Sequence, residues 1–193
     1  LTRSGYGEQA RFALRSLRSR EDIFDIYIHP LNWGKTSWVY EDTEERDWID
    51  QAIGKTMMYN NQGGQYDMSL QVTIPNEWER IAPVNIGYTA GIETNRVAGE
   101  WLQAAHVVDS IIVVSEHSKT VFEETSHQAT IQETGEQVDF KVPDECSIEV
   151  VNYPVKKYKK LPKLNLELPT KFNFLCVAQM GPRKNLQNTL KWF

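Results

Sequence analysis

Cysteine is scarce in this sequence. The chain has only two, Cys146 and Cys176, and each lies inside an apolar run. Small secreted scaffolds depend on several disulfides, and structural zinc sites need clustered thiolates or imidazoles. The histidines are also few and scattered, with no pair at a spacing of four residues: His29, His106, His117 and His127. We therefore expect reduced core thiols in an intracellular protein, no disulfide framework and no metal site.

Long apolar runs and an excess of positive charge are missing as well. No stretch approaches the roughly 20 apolar residues of a membrane-spanning helix, and residues 1–3 do not resemble a signal peptide. The formal net charge is −5, whereas proteins that bind duplex nucleic acid usually carry a basic face. We expect a cytoplasmic protein that does not bind nucleic acid.

The clearest positive pattern covers residues 84–114. An apolar run at 84–88 is followed by apolar residues at helical spacing over 97–105 and by a second apolar run at 111–114. Strands buried on both faces show such continuous runs, and a crossover helix between two of them makes the strands parallel. The pattern predicts a βαβ unit at the centre of the fold.

The rest of the chain alternates in the same way. The predicted helices are 8–17, 41–58, 116–126 with Ser115 as N-cap, and 184–193. The predicted strands are 23–28, 66–74, 146–151 and 172–178, and residues 129–143 have no clear period. This alternation indicates an α/β fold with an open, mainly parallel sheet.

A change of composition suggests two domains. Residues 154–170 hold several lysines and prolines without a sustained apolar face, which is typical of a linker. We expect a first domain at 1–153 and the start of a second at 171–193. The turn at residues 4–7 has too few residues before it for a preceding strand, and residue 193 falls inside a helical pattern, so we expect a segment of a longer polypeptide. The lysines could alternatively contact an anionic membrane surface.

The first motif with chemical potential is Gly5-Tyr6-Gly7. With Ala10 and Asp25 it formally fits a dinucleotide-binding fingerprint. Tyr6 crowds that turn, however, and Asp25 falls at the start of its predicted strand rather than at the end where a ribose would bind. Two other interpretations are a glycine turn that lets a ligand approach a helix N-terminus, and a purely structural tight turn.

The second motif, residues 91–96, directly follows the central strand. Ligands of parallel sheets bind beyond the carboxyl ends of the strands, and Glu93 is a carboxylate in that position. Arg96 could hold this carboxylate ionised. The alternative is structural, with Glu93 or Thr94 stabilising the start of the next helix.

The third motif, residues 181–185, follows the predicted strand 172–178. Arg183 and Lys184 place two cations at the start of a helix, where free amide groups could help them bind a diphosphate. A solvated basic turn is the alternative. Serine hydrolase chemistry at Ser115 has little support, because the sequence around it is not a nucleophile elbow.

Five segments together resemble a known family. They are SGYGEQAR, GYTAGIETNRVAGEW, DSIIVVSEHSKTVF, IEVVNYPV and FNFLCVAQMGPRKN. Their order is similar to that in retaining glycosyltransferases of the GT-B fold, of the family-4 kind. The resemblance spans essentially the whole chain and depends on the order of the segments more than on any single motif.

The resemblance implies a Rossmann-like N-terminal domain that has helices on both faces of its sheet and binds a hydroxyl acceptor. It also implies that the chain continues into the first strand and helix of a Rossmann-like C-terminal domain. In the family, that second domain binds the nucleotide-sugar. It implies transfer of the sugar with retention, without a cofactor or an obligatory metal. Gly5, Tyr6 and Gly7 match the family's glycine-rich loop. Glu93 lies near the place of a cleft-facing histidine or acid, and Lys184 matches a lysine that neutralises the donor diphosphate.

The sequence also departs from the family. A glycine-arginine pair is common after the first strand of the second domain, but Ala178 and Gln179 occupy those positions, so that Arg183 would have to replace the missing cation. The family's paired-glutamate motif would lie beyond residue 193, in the remainder of the C-terminal domain. The segment is therefore expected to be an incomplete enzyme, and the alternative is a non-catalytic module that binds a glycan or a protein. Donor, acceptor and oligomeric state stay open.

Overall fold

The computed structural model divides the chain into two units, Leu1–Val155 and Lys156–Phe193. It describes residues 2–32, 37–130, 132, 135–155, 157, 159–160, 162–164, 166–178 and 180–193. Gln179, at the second position of the departure noted above, lies outside the described residues.

The described part of the first unit contains four helices and six strands. In chain order they are α1 (Gly5–Arg18), α2 (Glu44–Asn61), β1 (Met68–Val72), β2 (Val84–Tyr88), α3 (Gly99–Ala105), β3 (Ser110–Val113), α4 (Glu116–Glu124), β4 (His127–Thr130), β5 (Gln137–Phe140) and β6 (Ser147–Val150). A short 3-10 turn, Pro75–Glu77, lies between β1 and β2.

Four of the strands form one parallel sheet in the order β1-β2-β3-β6. In the described chain, consecutive strands of this sheet are joined through a 3-10 turn, through α3, and through α4 with a hairpin. Parallel neighbours need such crossovers, because a tight turn can join only antiparallel strands. The predicted α/β class with a parallel sheet is confirmed, and the arrangement is Rossmann-like.

Helices cover both faces of this sheet. Successive residues of a strand point to opposite faces. On β2, Gly87 faces the buried ring of Trp78, and a Cβ at Gly87 would collide with that ring. The next residue, Tyr88, faces the other way and meets Gln9 of α1. The core on the Gly87 face joins β3 to α3 and α4 through apolar side chains that include Leu102, Ile111, Val113, Val121 and Phe122.

A smaller core lies under α1 and α2. Ile28, Ile49 and Ala52 are buried there, with Leu14 and Ile53 packed against them. The N-caps of these two helices are Ser4 and Thr43, whose side chains accept backbone hydrogen bonds from Gly7 and Arg46. The predicted cap Ser115 is also confirmed, since its hydroxyl accepts from the amide of Ser118.

One predicted strand of the first unit is absent. Residues 23–28 are not a strand: the amide of Ile28 donates to the hydroxyl of Thr56, 2.8 Å away, instead of to a neighbouring strand. An apolar run becomes a strand only where a ladder partner is available, and the described residues supply none here. Residues 129–143, for which the sequence shows no clear period, include β5 and the end of β4, which pair as an antiparallel hairpin outside the parallel sheet.

The second unit begins with an extended segment and ends in a helix. The predicted strand 172–178 is not present: its described residues pair with no strand, and Phe172, Leu175 and Val177 are exposed. The physical reason is again that no described neighbour offers a ladder. A 3-10 turn, Pro182–Lys184, then leads into α5 (Leu186–Trp192).

Helix length and composition bear on membrane insertion. None of the described helices is both long enough and apolar enough to cross a membrane.

Candidate functional site

The carboxyl ends of the parallel strands bring three connecting segments together. The amide of Thr89, just past β2, donates to the carbonyl of Ile112 at 3.1 Å. The amide of Val151, just past β6, donates to the carbonyl of Val113 at 2.8 Å. These bonds extend the sheet so that the loop 91–97, the start of α4 and residues 152–153 emerge at the same edge. We call this place the carboxyl edge.

Helix α1 contributes two side chains to the carboxyl edge. The hydroxyl of Tyr6 shares a 3.0 Å hydrogen bond with the hydroxyl of Thr89 and accepts another, at 3.3 Å, from the amide of Ala90. Gln9 lies about one helical turn after Tyr6, and its Nε2 donates to the carbonyl of Thr89 at 3.0 Å. The first turn of α1 is thereby held against the end of β2.

The segment after β6 reaches the same place. The hydroxyl of Tyr153 accepts a hydrogen bond from the backbone amide of Gly91 at 3.2 Å, and the side-chain Nδ2 of Asn152 donates to the carbonyl of Val114 at 3.0 Å. Tyr153 is half exposed. The carboxyl edge is therefore bordered by a phenol on the side of β6 and by another on the side of α1.

Burial acts on the pKa of two phenols at this end of the sheet, Tyr6 and Tyr88. It raises the pKa of Tyr6, against smaller opposing effects from the hydrogen bonds with Thr89 and Ala90. It also raises the pKa of Tyr88, against the hydrogen bond from Gln9. Desolvation disfavours the charged form of a phenol. Both groups stay protonated at neutral pH and can donate as well as accept hydrogen bonds.

One buried oxygen beside this network is unsatisfied. Gln9 is only 2% exposed, and its Oε1 has no hydrogen-bond partner among the described residues. A buried acceptor without a donor is costly, by about 1–3 kcal/mol. This oxygen is closed to solvent, and it lies on the same side chain whose Nε2 holds the end of β2.

The predicted glycine-rich loop has a different structure from the one expected. Gly5, Tyr6 and Gly7 form the first turn of α1 rather than a loop before it. A Cβ at Gly7 would collide with the carbonyl oxygen of Thr2, so this glycine is required for the close approach of the preceding chain. Of the three residues, it is Tyr6 that the structure brings to the carboxyl edge.

The dinucleotide interpretation of the same motif finds no structural counterpart. Asp25 lies in a segment without strand structure and forms an ion pair with Lys55. The hydrogen bond from Lys55 holds the pKa of this carboxyl below its ordinary value. The strand, turn and helix in which the fingerprint binds a ribose are not formed by the described residues.

Glu93 lies on the loop that leaves the carboxyl edge, and its side chain is exposed. The structural alternative for this residue is wrong. Helix α3 begins only at Gly99, with Ala98 at its N-cap position, so neither Glu93 nor Thr94 caps it. Residues 94–96 form bends, and the helix begins two residues after the predicted start of helical spacing at 97. Arg96, the expected partner of Glu93, donates instead to the carbonyl of Ser126.

Arg183 and Lys184 belong to the second unit. They occupy a 3-10 turn and are exposed. Asn185 ends that turn with a φ of 49°, in the left-handed region that asparagine tolerates better than most residues, and from there the chain enters α5. The two cations are therefore presented together at a turn that precedes a helix.

Sequence reasoning missed several residues of the carboxyl edge. Gln9, Tyr153, His117 and Ser118 all contact it, and none was singled out for this role. A signal existed for Tyr153, because it follows a predicted strand whose carboxyl end had to lie at the same edge. No comparable signal exists for Gln9, whose contact with Thr89 depends on how α1 packs.

Within the part of the chain that the structure describes, no group of three histidine, cysteine or acidic side chains could hold a metal ion. Comparisons of the chain with protein-family models, with curated proteins and with solved structures find no match.

Proposed function

We propose that this chain is the acceptor-side domain and the start of the donor-side domain of a retaining GT-B glycosyltransferase. The enzyme would transfer a sugar from a nucleotide-sugar to a hydroxyl of a glycan, a lipid or a small molecule. The proposal stems from the ordered resemblance of five segments. One structural observation supports it: neutral hydroxyl and amide groups gather at the carboxyl edge of a parallel sheet, next to an exposed carboxylate.

The chemistry of the carboxyl edge suits a hydroxylated ligand. Tyr6 and the half-exposed Tyr153 place hydroxyls that both donate and accept at this edge, and the buried residues Thr89 and Gln9 hold Tyr6 and the end of β2 in place. Sugars and other polyols are recognised through such paired donors and acceptors. In the proposed reaction this edge would orient the acceptor hydroxyl toward the sugar carbon, and Glu93 would accept a hydrogen bond from it.

The second unit would act on the leaving group. As the bond between sugar and phosphate breaks, negative charge accumulates on the nucleoside diphosphate. Fixed cations lower the energy of that transition state more than that of the ground state. Lys184 would contact the diphosphate directly, and Arg183 would supply the second positive charge.

A second candidate function is a non-catalytic module that binds a glycan. The same hydroxyl and amide groups of the carboxyl edge favour it, because recognition needs them as much as catalysis does. Such a module would not need Lys184, which is the feature that separates the two functions.

The deciding experiment measures nucleotide release by the natural polypeptide that contains this chain. It uses UDP-, GDP- and ADP-sugars with and without candidate acceptors, and compares the wild type with Lys184→Ala and with the control Lys191→Ala on α5. We expect release from one donor, a loss of about 10²-fold in kcat for Lys184→Ala, and no change for the control. Silence across the panel from folded protein, combined with retention on immobilised glycans, would establish the binding module instead.

A further inference from the structure

The loop that carries Glu93 is held on its amino-terminal side by α4. The amide of Ile92 donates to the hydroxyl of Ser118 at 3.3 Å. Ser118 is fully buried in the first turn of α4, and its hydroxyl lies 3.0 Å from that of Ser115. Because the Ser115 hydroxyl also caps the helix, the contact with Ile92 is attached to a rigid helix start.

The loop is held on its carboxyl-terminal side by the neighbouring residue of α4. Nε2 of His117 lies 3.1 Å from the carbonyl oxygen of Thr94. A carbonyl can only accept, so the imidazole carries its proton on Nε2 and donates it. Ser118 and His117 thus bracket residues 92–94, and Glu93 is the middle residue of the bracketed segment.

The remaining part of the loop is anchored more firmly still. The amide of Val97 donates to the hydroxyl of Thr125 at 3.2 Å, and Nε2 of His127 lies 2.8 Å from the carbonyl oxygen of Val97. Val97 itself is buried in the main core. The loop therefore has a fixed end at Val97, and His117 extends this support back toward Glu93.

From this arrangement we infer that His117 is a positioning residue for Glu93, an inference that rests on the proposed function. Its hydrogen bond to the carbonyl of Thr94 fixes the backbone next to Glu93, and this fixes the position of the Glu93 carboxylate at the carboxyl edge. A displacement of about 1 Å in a reacting geometry can reduce the rate roughly a hundredfold. Donor binding is proposed for Arg183 and Lys184, so the loss of His117 is expected to lower turnover and to leave donor binding unchanged.

The test compares His117→Leu with His117→Gln in the natural polypeptide. Glutamine places an amide N–H at nearly the position of Nε2, whereas leucine keeps the bulk and removes the donor. The measurements are amide hydrogen exchange of the peptide covering residues 89–98, kcat and KM for donor and acceptor, and the melting temperature. His106→Leu is the control, because His106 stacks on Phe140 of β5.

We expect exchange in the loop to rise about fivefold in His117→Leu, the factor that corresponds to one lost hydrogen bond. We also expect kcat to fall about tenfold or more with an unchanged donor KM, and both effects to be reversed in His117→Gln. Unchanged exchange, or equal behaviour of the leucine and glutamine variants, would overturn the inference. So would faster exchange with an unchanged kcat. A wild type that transfers no sugar would overturn the proposed function, and the exchange data would then decide separately whether His117 holds the loop.

Discussion

At the scale of single residues, the chemistry of this chain depends on where neutral groups are buried and where charged groups are exposed. Burial raises the pKa of Tyr6 and of Tyr88, while Glu93, Arg183 and Lys184 are exposed. An exposed charge contributes little to the stability of a fold. The roles proposed for these three charged residues can therefore be tested by substitutions that leave the fold intact.

Glu93 can be tested separately from the fold. In Glu93→Gln we expect kcat/KM for the acceptor to fall by tenfold or more, with an unchanged donor KM and an unchanged melting temperature, because α3 begins six residues later. Steady-state kinetics and thermal unfolding check this. Glu100→Gln in the first turn of α3 is the control, with kinetics like those of the wild type. A fall in stability in Glu93→Gln that matches its loss of activity would show a structural role instead.

At the scale of elements, the N-cap residue predicts the start of a helix more precisely than the spacing of its apolar residues does. The period of α2 suggested a start at residue 41, but the helix begins after Thr43, whose hydroxyl accepts from the amide of Arg46. The start of α4 was predicted correctly because Ser115 was recognised as its N-cap. The cap is a local hydrogen bond, so the sequence alone can predict it.

Two helical glycines are expected to respond in opposite ways to the same substitution. A Cβ at Gly7 in α1 would collide with the carbonyl of Thr2, whereas a Cβ at Gly54 in α2 would have no neighbour within 4 Å. We expect Gly7→Ala to reduce the free energy of unfolding by about 1–3 kcal/mol and Gly54→Ala to increase it by about 0.5–1 kcal/mol. Chemical denaturation measures both. Equal effects would contradict the close approach of residue 2 to α1.

Strands depend more than helices on distant parts of the chain. Val84–Tyr88 was predicted at the bounds that β2 has, and it is paired on both sides. Residues 23–28 and 172–178 have comparable apolar runs but no partner among the described residues, and neither is a strand. Helix hydrogen bonds are internal to the helix, whereas a strand needs a second segment.

At the scale of the whole molecule, one buried thiol and two buried phenols of the first unit make its free energy of unfolding depend on pH in the alkaline range. Burial raises the pKa of Cys146 from its ordinary value near 9 to about 11, and burial also raises the pKa of Tyr6 and Tyr88. In each case the folded state binds its proton more tightly than the unfolded state. The stability is complete below the unfolded pKa and is lost as the pH rises toward the folded one.

We therefore expect the free energy of unfolding to fall as the pH rises above about 9, by up to about 1.4 kcal/mol per pH unit for each titrating group. Between pH 9, the ordinary pKa of a thiol, and the pH at which tyrosines begin to titrate, we assign the loss of stability to Cys146. Denaturant titrations at several pH values, with Cys146→Val and with the exposed Cys176→Ala as control, measure it. A Cys146→Val variant whose pH dependence below about 10 equals that of the wild type would contradict the assignment.

The sequence by itself determined the parallel α/β class, the central βαβ unit, the cap at Ser115 and the position of the loop 91–96 after the central strand. These features follow from local hydrogen bonds and from the repeat of apolar residues. Only the tertiary structure decided that Tyr6 is in a helix, that Gln9, Tyr153 and His117 reach the carboxyl edge, and that two apolar runs are not strands. Those outcomes depend on contacts between residues far apart in the chain, and such contacts are set by packing and by the supply of ladder partners, which no local pattern records.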